Sequence, residues 1–141
     1  MDTEKIIAYE TNFSAEDLNI FLRSWQEGKT NQKLKEIKLE TRLETDVKEV
    51  LKGCGGELMD PRTSKLKFRY PGGDRYLDLC VHGGIHIKET DRRIAVIGGY
   101  LNDEEEEDVP EEEIEEYLNN LSNWNSENEH WYKKTYDLFF F

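Results

Sequence analysis

Two cysteines and two histidines are the residues of this chain best suited to chemistry: Cys54, Cys80, His82 and His86. A zinc site wants thiolate and imidazole ligands paired in tight turns, such as C-x2-C with a second pair further on. Cys54 instead stands alone in Gly53-Cys54-Gly55-Gly56, and Cys80 to His82 is an i, i+2 spacing on an expected strand. The pattern reads as one core cysteine, one turn cysteine and two histidines on strand surfaces. A cysteine nucleophile needs a partnered base and a lowered thiol pKa, so a hydrolase using Cys54 would require the fold to bring His82 or His86 to it. The glycine run lacks the Lys-Ser/Thr ending and the following helix of a phosphate loop. Gly83-Gly84 and Gly98-Gly99 read as bulges or sharp bends at strand ends. None of these patterns predicts an enzyme, a metal site or a cofactor.

Charge is the next candidate for function. The chain has 141 residues and a formal net charge of −12. Of its 31 acidic side chains, 11 lie in the 14 residues Asp103–Glu116, which leaves 20 acids against 19 bases elsewhere. The rest of the chain is therefore near neutral, and no concentrated basic surface is available for phosphate, so nucleic acid is not expected as a ligand. A dense acidic run repels itself and stays solvated, the opposite of two carboxyls fixed across a hydrolase cleft. It is expected to form a loop over residues 102–113. Glu104, Glu105, Glu106 and Glu107 are the candidates if the run docks a basic partner.

No apolar stretch approaches the ~20 residues that a membrane-spanning helix needs, and Met1–Tyr9 has no apolar signal core. With two cysteines and no secretory signal, reduced thiols and a cytoplasmic or nuclear location are expected.

The elements that would position these residues are partly explicit. Ser14 and Asp17 form a near capping box, Phe13 and Leu18 occupy the staple positions, and Leu18, Phe21, Leu22 and Trp25 follow helical spacing. This predicts a helix over Ala15–Glu27. A strand is expected over Leu34–Leu39 and a second helix over Asp46–Lys52. Leu66, Phe68 and Tyr70 alternate with basic residues as in a half-buried strand, and Pro71-Gly72-Gly73-Asp74 reads as a turn before a strand at Tyr76–Val81. Residues 85–87 and 94–97 flank a hairpin turn around Thr90-Asp91-Arg92, and Glu111–Leu121 has a helical apolar face. The expected class is α+β, one domain over residues 1–141: helix–strand–helix, then an antiparallel meander and a C-terminal helix.

Seven of the 16 aromatic residues fall in the last 18 positions. Such a segment can complete a thin core, or it can be an interface patch, since Trp and Tyr concentrate binding energy. The candidate partner-binding residues are Trp131, Tyr132, Tyr136 and Phe139.

Two stretches carry a family resemblance. The first runs from Asp17-Leu18-Asn19-Ile20-Phe21-Leu22-Arg23-Ser24-Trp25 through Gly28 to Lys33-Leu34-Lys35-Glu36-Ile37. The second is the hairpin Gly84–Ile97. Together they resemble the nematode F-box-associated domain, type 2, over roughly residues 13–100. The resemblance departs from the family pattern at Arg92, where a glycine is usual. It implies a protein-interaction domain that captures the substrate of a ubiquitin-ligase receptor, with no catalytic residues to transfer. Residues 1–13 are too short for an F-box, so cullin-ligase components are expected as partners only if one is present in the full-length protein. The alternative expectation is a stand-alone acidic inhibitor or decoy that covers a basic protein surface. Neither membrane nor nucleic acid is an expected partner.

Overall fold

The computed structural model describes residues 4–29, 33–72, 75–89, 93–103 and 108–141. In chain order the elements are β1 (Lys5–Thr11), α1 (Ala15–Gln26), β2 (Glu36–Asp46), α2 (Val47–Val50), β3 (Glu57–Met59) and β4 (Lys65–Gly72). Then come β5 (Arg75–His82), β6 (Gly84–Lys88), β7 (Ile94–Ile97), β8 (Tyr100–Asp103), α3 (Glu111–Asn125) and β9 (Tyr132–Phe140). The class is α+β, as the sequence predicts.

Helix α1 starts where its capping chemistry dictates. The Ser14 hydroxyl accepts from the Asp17 amide at 3.2 Å, and the Asp17 carboxylate accepts from the Ser14 amide at 2.9 Å. Leu22 and Trp25 are almost completely buried beneath it. The expected second helix is only the short α2, with Asp46 as its N-cap. The expected strand at Leu34–Leu39 runs on to Asp46, because β2 is paired on both sides and its polar half is held by backbone bonds rather than by apolar alternation.

Six strands form the main sheet in the order β1-β2-β9-β7-β6-β3, and β4-β5-β8 form a second, three-stranded sheet. Among the described residues only the β1–β2 pair is parallel, joined through α1; the other pairs are antiparallel. The expected meander is therefore divided between two sheets. Glycine pairs make the transfers: Gly83-Gly84 carries the chain from β5 to β6, and Gly98-Gly99 returns it from β7 to β8, all four at positive φ. A Cβ on Gly84 would fall 2.7 Å from Val96 Cγ1, and one on Gly99 would fall 2.8 Å from Val81 Cγ1, so the crossing points admit no side chain. Gly73, Asp74 and Thr90–Arg92, expected as turns, lie outside the described residues.

Period-2 alternation sorts the main sheet's side chains into two cores. Ile37, Leu39, Ile85, Ile87, Ala95, Ile97, Tyr136, Leu138 and Phe140 meet α1 and α2. Val96 and Phe139 point the other way, onto Val81, Leu66 and Phe68 of the second sheet. Trp25 meets Phe140 edge-on at 5.3 Å. The expected C-terminal helix is α3, and the aromatic end of the chain follows it as β9, a central strand that completes the core. Of the segment expected as one acidic loop, residues 102–113, Asn102 and Asp103 belong to β8 and Glu111–Glu113 open α3, while residues 104–107 lie outside the described residues. No α3 residue is fully buried, although Trp124 packs on the main core and Lys48 Nζ donates to the Ser126 carbonyl just beyond the helix.

Candidate protein-binding site

Two irregularities lie side by side where β1, β2 and β9 meet. Pairing of β1 with β2 passes from Ala8↔Leu39 to Thr11↔Thr41, so β1 holds one extra residue there. Within that bulge Glu10 has φ 49°, the one non-glycine residue at positive φ among the described residues. On the other side of β2, pairing with β9 passes from Glu40↔Thr135 to Thr45↔Lys133, so β2 spends five steps against two, with Arg42–Glu44 exposed between the paired ends. Bulges of this kind re-aim side chains and end regular pairing.

The excursion is pinned from several directions. Arg42 Nε donates to the Glu10 carbonyl at 3.1 Å, and the Thr11 hydroxyl donates to the Glu40 carbonyl at 3.0 Å. The Thr41 hydroxyl is 2.7 Å from the Leu43 carbonyl and 3.2 Å from that of Lys134. Thr45 Oγ1 lies 2.5 Å from the buried Tyr136 hydroxyl. Below it, the Asp46 carboxylate accepts from His130 Nδ1 at 2.8 Å and from the amides of Lys48 and Trp131 at 3.1 Å each. Burial pushes the Asp46 carboxyl up, but the His130 bond and then the two amides outweigh it and hold the group below its ordinary range.

This framework encloses a cleft of about 400 Å³ lined by residues 11–15, 42–46, Glu49 and Tyr132. Phe13, Leu43 and Tyr132 lie on it with exposures of 49%, 79% and 55%. They come from the β1–α1 connection, the β2 excursion and the start of β9, segments far apart in sequence. Tyr132 stands beside the His130 ring, with centroids 5.6 Å apart. Arg42, Glu44 and Glu49, all exposed, supply a polar rim.

The residues singled out from sequence are not brought together as one patch. Tyr132 is on the cleft. Trp131 is half-buried against the main core, with Lys133 Nζ 5.9 Å from its ring centroid. Tyr136 and Phe139 are core residues, 2% and 5% exposed, because β9 is a central strand on which Tyr136 packs into the main core and Phe139 against the second sheet; they offer no surface to a partner. Glu104–Glu107 lie outside the described residues. Phe13 was legible as a staple residue but not as a surface one, and Leu43 had no signal beyond being a lone leucine in a polar stretch.

The potential chemistry residues occupy different settings. Cys54 is buried beneath α1, where burial pushes its thiol up despite the opposing charge of Arg23. Cys80 is fully buried in the middle strand of the smaller sheet. His82 Nε2 lies 2.9 Å from Asn102 Oδ1 in a buried pair. Burial pulls the His86 pKa down, against a bond to the Gly83 carbonyl at 3.3 Å. Among the described residues, no three His, Cys, Asp or Glu side chains gather as a metal site, and no helix is long and apolar enough to cross a membrane.

Residues 1–39 match the family model described as F-box associated. The match takes in β1, α1 and the opening of β2, so it includes Phe13 and the first stretch of the resemblance, whereas the hairpin stretch lies outside it. No curated protein and no solved structure matches the chain.

Proposed function

We propose that this chain is a non-catalytic protein-recognition domain of the F-box-associated kind, and that the cleft between Phe13, Leu43 and Tyr132 captures its partner. The observation that carries this reading is the convergence of three exposed apolar side chains, from three remote segments, on one braced cleft. Exposed apolar groups scattered singly need no explanation, but a cluster with a polar rim is the anatomy of an interface. The family match over residues 1–39 supports the same reading, because F-box-associated domains are linked to substrate capture. In that setting the domain works in the cytoplasm or nucleus without a cofactor, and an F-box elsewhere in the full-length polypeptide would supply the link to a cullin ligase.

The test is site-specific photocrosslinking. A photoreactive residue at position 43 should give one defined protein adduct, absent when the same residue replaces the exposed Leu118 of α3 and lost on Phe13→Ala. Equal adducts from both positions would refute the cleft. A second reading, an acidic decoy, is favoured by Glu111, Glu112, Glu115 and Glu116, all exposed on α3. Capture that weakens steeply with added salt and ignores Phe13→Ala would favour that reading.

A further inference from the structure

Beside the cleft, between α1 and the edge of the main sheet, lies a cavity of about 180 Å³. Its lining is apolar almost throughout: Ile6 and Ala8 from β1, Leu18, Phe21 and Leu22 from α1, and Leu138 from β9 are among its walls. The two polar residues on it are both engaged elsewhere. The Asp17 carboxylate is held by the Ser14 amide and hydroxyl, at 2.9 and 3.0 Å, and the Tyr136 hydroxyl is turned to Thr45. A water molecule needs two to four polar partners; the walls of this pocket offer none that is free, so water can bond there only through the mouth to other water. Engineered cavities of about 150 Å³ lined by Leu, Ile and Phe stay dry and take up benzene or xenon.

We propose that this cavity is a binding site for small uncharged apolar molecules of one-ring size. Its volume admits such a ligand, and its lining stabilises one only through apolar burial and dispersion. A charged analogue would have to shed its hydration with nothing to replace it. Ala8 is the smallest side chain on the wall, so it marks where the space is left. Exposed Phe13 and Asp17 place the mouth at the start of α1, and Phe13 also lines the cleft. The site does not depend on partner capture.

Titration of the full chain with benzene, followed by methyl NMR, tests the proposal. Saturable one-to-one shifts are expected at the methyls of Leu18, Leu22, Ile37 and Leu138, with none from benzoate. Ala8→Leu fills the space and should weaken benzene binding by about tenfold or more. Leu18→Ala enlarges the space and should extend binding to indole, which decides the matter if Ala8→Leu does not fold. Leu43→Asp should leave benzene binding unchanged, which separates this site from the cleft. The proposal is overturned if the folded wild-type chain shows no saturable shifts up to the solubility of benzene. It is equally overturned if the shifts map elsewhere, if benzoate matches benzene, if a folded Ala8→Leu binds as well as wild type, or if Leu18→Ala rejects indole.

Discussion

Asp46 and His130 are 84 residues apart in the chain and 2.8 Å apart in the fold. The same carboxylate caps α2 and fixes the backbone at Trp131, so one buried side chain ties the end of β2 to the start of β9 below the cleft. Its folded pKa lies below the ordinary carboxylate value. The stability it contributes is therefore fully present above the unfolded pKa and is lost as pH falls through the folded one. Asp46→Asn should cost about 2 kcal/mol at neutral pH. In urea titrations, the gap between variant and wild type should shrink towards acid pH.

Leu43 has the opposite character. It is held out in solvent by a pinned backbone, so Leu43→Asp should change stability by less than about 0.5 kcal/mol. The photocrosslink or pull-down signal should fall sharply all the same. Tyr132→Ala should behave likewise, with unchanged melting and weakened capture.

Core positions on β9 should invert that pattern. Phe139→Ala removes a ring shared between the two sheets and should cost about 3–5 kcal/mol. Tyr136→Phe keeps the ring and loses the hydroxyl that meets Thr45, a loss of about 1 kcal/mol. Thermal melts followed by circular dichroism would measure both.

Glu10 occupies the left-handed region, where a Cβ costs roughly 1–2 kcal/mol. Its contact with Arg42 uses the backbone carbonyl, so the side chain can be removed without breaking it. Glu10→Gly should raise the denaturation midpoint slightly, and Glu10→Val should lower it.

Cys54 should react with thiol reagents more slowly than free cysteine at neutral pH, because it is buried and its pKa is raised. Labelling should accelerate as denaturant opens the protein. Fast labelling under native conditions would point to a reactive thiol and revive a catalytic reading.

The sequence made some of this architecture legible and concealed the rest for identifiable reasons. Helix α1 could be read because its signals are local: both capping-box bonds form within four residues. The β6–β7 hairpin could be read from its flanking apolar runs. Strand β9 was obscured because Leu138, Phe139 and Phe140 are all buried, which breaks the alternation that marks a one-faced strand. The division of the meander between two sheets depends on what glycine avoids touching, and Val96 and Val81 are contacts no local pattern reveals. At the cleft, Tyr132 could be guessed from type alone. Leu43 emerges only through the surplus of β2 residues over β9, a register property set by strands distant in the chain.

The position of β9 has a consequence for biosynthesis. It lies between β2 and β7, yet follows both in the chain. A ribosome adding roughly 5–20 residues per second needs on the order of ten seconds to pass from the end of β2 to the end of β9. During that interval the main sheet can form only as a β1–β2 pair and a β7–β6–β3 group, each with a bare edge ready to pair wrongly. This domain should therefore lean on a holding chaperone while it is made, and release should coincide with the arrival of β9.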